Sequence, residues 1–313
     1  MGSLSPVATT MSGNKSSAGA TTARKNFKRY IPMYLSVAPF FILYLVFGLL
    51  PSLFTLYLSF QKWDGIGEMK FIGLNNFIFA LTDPKFGKSI INTFLIWFMS
   101  TIPMLFLALL MAFLLNQRKK SKFLYQVAFF LPYVTSIVAI TLIFNSFYGS
   151  EYGLINVILR AIHLPGIEWL SDPWGIKWSI AIMVIWRWTG YNALIYMAGL
   201  QSIPTELYEA ARIDGASTKD IFFHITLPLL RPVILFTVIS STIGGMTLFT
   251  EPQVMLGNGG GPAAEGLTMS LYQYGQAFVS FRYGYGAAVS WLIFLILLVF
   301  TFINWKVVNR GDR

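Results

Sequence analysis

The sequence predicts an all-α polytopic membrane protein with six transmembrane helices, and three observations support this prediction. First, 55% of the 313 residues are hydrophobic and only 12% are charged, whereas a soluble domain has about 25% charged residues. Second, the positive charges concentrate in segments that would face one side of a membrane. Third, six runs without Asp, Glu, Lys or Arg are long enough to span a bilayer as helices. These runs are residues 31–60, 89–117, 123–150, 188–205, 232–250 and 283–305.

The first 23 residues are rich in Ser, Thr, Ala and Gly and show no apolar periodicity. We expect residues 1–29 to be a disordered cytoplasmic tail. The apolar run that follows is too long for the 7–15-residue core of a cleavable signal peptide, so it is the first span. Residues 30–313 then form the membrane domain, because lipid offers no hydrogen-bond partner to a non-helical backbone. The expected spans are about 31–60, 89–115, 123–147, 178–200, 225–250 and 284–307.

The distribution of Lys and Arg orients these spans. With the N-terminus inside, most of the 23 basic residues fall in the two termini and in the loops after spans two and four. This asymmetry follows the positive-inside rule and places both termini in the cytoplasm. The net charge of +10 therefore orients the protein in the bilayer, and no nucleic-acid partner is expected.

One charged residue, Arg187, lies within a predicted span. Charges at such depth face a cavity or a counter-ion, and Glu251, near the outer end of span five, is the candidate partner. A second interpretation stays open, in which the Arg187 side chain extends along the helix to the outer interface.

The segment between spans four and five, residues 203–232, is amphipathic and carries both signs of charge. Thr205 can cap a short helix over about 205–215, and Gly215 can end it. Ser217 and Asp220 resemble a capping box for a second helix. The sequence therefore predicts a helix, a glycine turn and a helix along the inner membrane face, which on physical grounds alone could be a solvated linker.

Several kinds of chemistry are excluded. The chain has no cysteine, so it has no disulfide, thiolate metal site or cysteine nucleophile. His163 and His224 have no metal-ligand companion at helical spacing, and no GxxxxGK[ST] phosphate loop occurs. We therefore expect no cofactor, no metal and no enzymatic activity, and any ATP hydrolysis must reside on another polypeptide.

The inner segment also carries a specific motif. Glu209-Ala210-Ala211 is followed after three residues by Gly215, and after nine more by Ile225, one residue and Leu227-Pro228. This pattern resembles the signature of the inner-membrane permeases of binding-protein-dependent ABC importers. The similarity runs from about residue 30 to the C-terminus and is greatest to the first of the two paired permeases of maltose-type sugar systems.

The resemblance implies a non-catalytic permease subunit in a bacterial cell membrane. Its expected partners are a second permease in a heterodimer, a cytoplasmic ATPase dimer, an extracytoplasmic solute-binding protein and a carbohydrate, with an oligosaccharide as the expected substrate. The 205–215 helix would be the coupling helix that docks into the ATPase. The docking residues would be Glu209, Ala210, Ala211 and Gly215.

The resemblance also implies positions that contact sugar. They map onto the third, fourth and fifth spans at Tyr133, Trp186, Thr189, Gly190, Thr242, Met246 and Phe249. With Arg187 and Glu251, these residues form the predicted substrate pathway. The sequence departs from the maltose-type pattern because Trp186, Met246 and Phe249 replace amides.

Two alternatives remain open at this stage. A self-sufficient secondary transporter or channel would need coupling-ion groups within the spans, and only Arg187 and Glu251 approach that description. An importer of the same type could instead carry a glycerol phosphoester, whose anion would meet Arg187.

Overall fold

The computed structural model describes residues 17–116 and 122–309. Their contacts form two compact units, one ending at Thr55 and the other beginning at Leu56. The expected tail up to residue 16 lies outside the described residues, as do six of the basic residues used for orientation. These are Lys15, Arg118, Lys119, Lys120, Arg310 and Arg313.

The first unit is helical. Helix α1 (Ser17–Tyr44) contains Pro32 and Pro39, and it passes through a π-helical turn (Leu45–Leu49) into α2 (Leu50–Ser59). Disorder was expected up to residue 29, but the helix begins at Ser17. Alanines are frequent in this stretch, and alanine has the highest intrinsic helix propensity.

The second unit begins within α2, at Leu56, and contains the remaining elements. A short antiparallel hairpin, β1 (Gln61–Lys62) and β2 (Lys70–Phe71), pairs Lys62 with Lys70. The helices up to the fourth predicted span are α3 (Asn75–Thr82), α4 (Pro84–Asn116), α5 (Lys122–Val134), α6 (Ile137–Phe147), α7 (Leu154–Ala161) and α8 (Pro173–Gln201). The later helices are α9 (Thr205–Ile213), α10 (Thr218–Ile221), α11 (Leu227–Met246), α12 (Thr250–Leu256), α13 (Met269–Tyr274) and α14 (Tyr283–Asn309). Shorter turns are π-helical at Phe222–Thr226 and Gly275–Val279 and 3-10 at Pro262–Ala264.

The helical content confirms the all-α class. Among the described residues, four helical stretches are long and apolar enough to cross a membrane, and α5 with α6 makes a fifth if the pair is one bent span. The four are Pro32–Ser59, Pro84–Asn116, Thr218–Leu256 and Tyr283–Lys306. Helix α8, with 29 residues, stands at the place of the fourth predicted span. Its polar residues lower its hydropathy, and the arrangement is compatible with six spans.

Helix α8 is the centre of the second unit. It packs most extensively against α4 and also contacts α5 and α11. Near its C-terminal end, Tyr196, Met197 and Leu200 pack with small residues of α4, Ala108 and Ala112. Nearer its N-terminal end, a second buried cluster joins α8 to α6. A helix surrounded by other helices can carry polar residues that a lipid-facing helix cannot.

Two of the spans are interrupted. Helices α5 and α6 meet at an angle of 91°, shortly after Pro132, as expected where a proline removes a backbone donor. Span five was predicted to be continuous over 225–250, but α11 ends at Met246 and α12 begins at Thr250. The buried Thr268 hydroxyl donates to the Leu248 carbonyl at 2.7 Å, which satisfies one backbone acceptor freed by the break.

The inner segment confirms the predicted helix, glycine turn and helix. Gly215 follows α9 with φ of +80°, and Ser217 and Asp220 form the capping box of α10. Two details differ from the prediction. Pro204, not Thr205, is the N-cap of α9. The segment also does not end at Leu227-Pro228, because the π-helical turn carries α10 into α11 without a gap.

Candidate functional site

A cavity of about 410 Å³ lies among α4, the α5–α6 bend, α8 and the α11–α12 break. Its volume is within the roughly 300–1,000 Å³ of small-ligand pockets. Helix α4 contributes Thr101 and Met104, and α11 contributes Ser240, Ser241 and two glycines. The lining therefore combines hydroxyl groups with apolar surface.

Three aromatic side chains form one wall of the cavity. The Tyr133 and Tyr191 rings stack with centroids 4.4 Å apart, and Trp188 meets both edge-on at 5.1 and 5.7 Å. Such stacked and edge-to-face pairs hold each other in fixed orientations. Flat apolar faces of this kind suit the CH-bearing face of a ring-shaped solute.

Arg187 lies against this aromatic wall. Its guanidinium carbon is 5.7 Å from the Tyr133 ring centroid and 5.4 Å from that of Trp188, distances at which cations and aromatic faces attract. One terminal nitrogen donates to the Tyr133 carbonyl at 3.4 Å. The Arg187 Nε atom is buried without a hydrogen-bond partner, so the site retains an unused donor.

Glu251 lines the same cavity and is 4% exposed. It was predicted to be the counter-ion of Arg187. However, the ion pairs within 4.0 Å among the described residues both involve Glu265, so Arg187 and Glu251 share the cavity without a direct salt bridge. The reason is that α12 is a separate helix, and the break before it sets the position of Glu251.

The α11–α12 break supplies another wall. The residues from Thr247 to Glu251 all line the cavity, and Phe249 has non-helical backbone angles. Irregular backbone at membrane depth is tolerated where it lines a cavity or is buried in protein. The interruption of span five is thus part of the cavity.

Four of the predicted pathway residues line the cavity, namely Tyr133, Arg187, Phe249 and Glu251. The three others in α8 lie elsewhere. Trp186 is 47% exposed and packs on Phe144. The Thr189 hydroxyl donates to the Ile185 carbonyl at 2.6 Å. A Cβ atom at Gly190 would lie 1.7 Å from the Phe129 carbonyl oxygen, so Gly190 permits close packing of α8 on α5.

The two predicted residues in α11 also lie outside the cavity lining. Thr242 is buried, and its hydroxyl accepts from Asn304 of α14 at 3.3 Å. Met246 is fully buried in a cluster that includes residues of α13 and α14. These two residues therefore pack against other helices, and the neighbouring face of α11, with Ser241, Gly244 and Gly245, lines the cavity.

Three α8 residues outside the set implied by the resemblance, Trp188, Tyr191 and Asn192, line the cavity; the sequence offers them as polar and aromatic residues of the fourth span. A signal for them was present. Once Arg187 is taken to face a cavity, Tyr191 four positions further on shares its face of the helix, and Trp188, Tyr191 and Asn192 follow the i, i+3, i+4 spacing of one face. Asn192 also accepts from Ser241 at 3.4 Å, which links α8 to α11.

The predicted docking residues lie on an exposed helix. Helix α9 has no buried residue, Glu209, Ala210 and Gly215 are exposed, and Ala211 is half-buried. Tyr208 anchors the helix through a 3.3 Å hydrogen bond between its hydroxyl and that of Thr226. Ile213 is 86% exposed, which leaves an apolar side chain available to a partner.

A third group of polar residues surrounds Glu265, in the loop before α13. Its carboxylate accepts from Lys177 at 2.5 Å and from Lys88 at 2.7 Å. These bonds, with Lys177 contributing most, lower the pKa of Glu265. Asn92 of α4 donates to the Ala264 carbonyl at 2.8 Å. The loop is thereby tied to α4 and α8.

Within the described ranges, no group of three or more His, Asp or Glu side chains could hold a metal ion.

Comparison with known proteins gives a consistent set of relatives. The family model described as "Binding-protein-dependent transport system inner membrane component" matches residues 93–310. The lactose transport system permease protein LacF of Rhizobium radiobacter is 41% identical over 91% of this chain and 97% of its own length. The arabinooligosaccharides transport system permease protein AraP of Bacillus subtilis is 37% identical, with 87% of each chain covered.

A solved structure has the same fold. It is a chain from the crystal structure of a bacterial alginate ABC transporter in complex with an alginate pentasaccharide-bound periplasmic protein. The TM-score is 0.79 at 22% identity, and the match covers 92% of this chain and 98% of that chain.

Proposed function

Because the chain belongs to the family of binding-protein-dependent transport system inner membrane components, we propose that it is the membrane permease subunit of an ATP-driven importer for a carbohydrate, with an oligosaccharide as substrate. The observation that carries this proposal is the cavity at the span interruptions, which has an aromatic wall and hydroxyl groups in its lining. Relatives that serve lactose and arabinooligosaccharides support the class of substrate.

The importer would require other polypeptides. A second permease would complete the pore as a heterodimer, and a cytoplasmic ATPase dimer would supply energy because this chain has no phosphate-binding loop. A solute-binding protein would deliver substrate to the outer face. Both termini would lie in the cytoplasm, as the positive-inside rule requires.

Helix α9 is the proposed coupling element. Glu209 would pair with a basic group on the ATPase, and Ala210 and Ala211 would allow close approach because they are small. Gly215 would set the turn into α10. ATP-driven movement of the ATPase would displace α9, and the continuous helix from Thr218 through α11 would transmit that displacement to the α11–α12 break.

A matched pair of substitutions tests the docking assignment. Glu209→Gln should abolish ATP-driven uptake while the permease still inserts in the membrane, since the carboxylate is exposed and supports no internal contact of the described chain. Glu206→Gln, in the first turn of the same helix, is the control and should retain uptake. Equal uptake by the two variants would refute the role of Glu209.

A second pair tests the solute pathway. Tyr133→Ala should change the KM of uptake or the choice of oligosaccharide, because it removes the centre of the aromatic wall. Tyr125→Ala removes a ring of the same helix that stacks on Phe129 and does not line the cavity. Radiolabelled uptake by reconstituted transporter is the measurement, and unchanged kinetics for Tyr133→Ala would assign it a packing role.

Reconstitution separates an importer from a self-sufficient transporter or channel. Proteoliposomes that contain this chain alone should show no uptake. Uptake should require the second permease, the ATPase with ATP and the binding protein.

One observation favours a second candidate, an importer of the same type for an anionic solute such as a glycerol phosphoester. The Arg187 Nε atom in the cavity has no partner, and an anion could accept from it. Glu251 in the same lining opposes an anion. Competition of neutral and anionic solutes for uptake, repeated with Arg187→Gln, decides between the two.

A further inference from the structure

A second, larger pocket of about 530 Å³ lies outside the membrane cavity. It is formed by the β1–β2 hairpin, the start of α3 and the segment that leads into α14, and we call it the outer pocket. Its lining includes Lys62, Trp63, Lys70, Phe79, Phe281 and Arg282. On the proposed topology the outer pocket faces the extracytoplasmic side. Its hairpin and α3 residues follow the outer end of span one, and its remaining residues lie at the outer end of span six.

Positive charge is concentrated in this pocket. Lys62 and Lys70 are direct cross-strand partners, and like charges at opposed positions destabilise a hairpin. Arg282 adds a third cation to the same lining. Among the described residues, the salt bridges within 4.0 Å all involve Glu265, so none of the three cations is neutralised by a direct ion pair.

Two carboxylates also line the pocket, and one of them is already engaged. The Asp64 carboxylate accepts from the backbone amides of Gly67 and Ile66 at 3.0 and 3.2 Å, and these bonds lower its pKa. Glu68 is the other carboxylate. The three cations outnumber the two carboxylates by one, so the lining has a small excess of positive charge and can accept an additional carboxylate.

The third cation is held in a fixed orientation. The Arg282 guanidinium carbon lies 5.3 Å from the Phe79 ring centroid and 5.2 Å from that of Tyr285. Stacking on aromatic rings preorganises a guanidinium for a planar carboxylate. The Arg282 side chain therefore loses little conformational entropy when a partner binds.

The residue before Arg282 is strained and exposed. Phe281 has φ of +54°, which is uncommon for a bulky residue, and its side chain is 58% exposed. Strain of this kind is concentrated at binding and switch sites. Here it presents an aromatic ring at the rim of a positively charged pocket.

We propose that the outer pocket docks a carboxylate-bearing surface segment of the solute-binding protein. This inference rests on the proposed function, which requires such a protein at the outer face. Lys62, Lys70 and Arg282 would attract and pair with the acidic side chains, and Phe281 and Trp63 would supply apolar contact. Charge complementarity at such a surface accelerates association and sets orientation.

Binding of the purified solute-binding protein to the complete transporter in nanodiscs tests the proposal. The variant Lys62→Glu/Lys70→Glu/Arg282→Glu should bind roughly tenfold more weakly at low salt, mainly through slower association, and should lose most of the salt dependence of the wild type. Lys85→Glu is the matched control. It reverses an exposed lysine of the same face that does not line the pocket, and it should bind as the wild type does.

Each other outcome contradicts the proposal. Normal binding by the triple variant, or equal weakening by Lys85→Glu, would show that the pocket is not the docking surface. If the triple variant fails to assemble, Lys62→Gln and Lys70→Gln, which relieve the cross-strand repulsion, should each still weaken binding. An acidic oligosaccharide could instead bind to the wild type in the absence of the binding protein and fail to bind to the variants. That result would show that the outer pocket binds a solute and not the binding protein.

The proposed function fails separately, if wild-type uptake does not depend on any binding protein.

Discussion

Gly190 has a packing role that the sequence did not indicate. The resemblance to maltose-type permeases implied contact with sugar. In the structure the Phe129 carbonyl occupies the space that a side chain at position 190 would need. Small residues at helix interfaces in membranes let backbones approach closely, so the backbone of α5 leaves no room for a side chain at this position.

Gly190→Ala should therefore lower the stability of the protein. The added methyl group must push α5 away from α8, and overpacking of this kind costs about 1–3 kcal/mol. Gly87→Ala is the control, because a Cβ atom at position 87 of α4 meets no other atom within 4 Å. Thermal unfolding of the purified transporter measures both, and an equal Tm for the two variants would contradict the packing role.

Gly215 has the opposite constraint. A Cβ atom there would also meet nothing within 4 Å, but φ is +80°, so the backbone conformation alone requires glycine. A residue with a side chain pays about 1–2 kcal/mol in this region, and Asn tolerates it better than others.

Uptake should accordingly decrease in the order wild type, Gly215→Asn, Gly215→Ala. ATP-driven uptake by reconstituted transporter measures the order. If Gly215→Ala exceeded Gly215→Asn, small size for the ATPase contact, and not backbone conformation, would be the requirement.

At the scale of elements, the loop before α13 is tied to the helices on which it rests. Glu265 joins α4 through Lys88 and α8 through Lys177, and the Lys177 side chain is only 5% exposed. Thr268 joins the same loop to the α11–α12 break. The ion pairs therefore help to fix the wall of the cavity that the break provides, although none of their members lines it.

The contribution of Glu265 should depend on pH. Its pKa is lowered in the folded protein, so its stabilisation is fully present above the ordinary carboxyl value of about 4.3 and is lost as pH falls through the folded value. The Tm of Glu265→Gln should lie below that of the wild type at neutral pH, and the difference should shrink under acidic conditions. If the difference in Tm stayed constant at pH values well below the ordinary carboxyl pKa, the effect would not have an ionic origin.

At the scale of the whole molecule, membrane class and the inner helical pair could be predicted from local signals. The charge-free runs and the Ser217 and Asp220 capping box are such signals, and each lies within one short segment. The cavity-facing side of α11 could not be predicted in this way. Thr242 and Met246 share a helical face, but that face packs on α14 and its neighbours, and a contact between distant segments has no local signal.

The orientation in the membrane is predicted from the distribution of charge over the whole chain. Because the sequence has no cysteine, single introduced cysteines can test it. Ile66→Cys, at a position 96% exposed in the hairpin, should react with a membrane-impermeant maleimide added to intact cells. Glu206→Cys, exposed on α9, should react only after permeabilisation, in cells without the ATPase. Labelling of Glu206→Cys from outside would invert the proposed topology.

Part of the wall of the membrane cavity is formed where helices stop, at the α5–α6 bend and at the Thr247–Phe249 break. Substitutions at the break, where the backbone is not helical, are not limited by helix propensity. Substrate specificity could therefore change during evolution through substitutions of a few residues at the helix interruptions. The machinery that drives transport would be left unchanged.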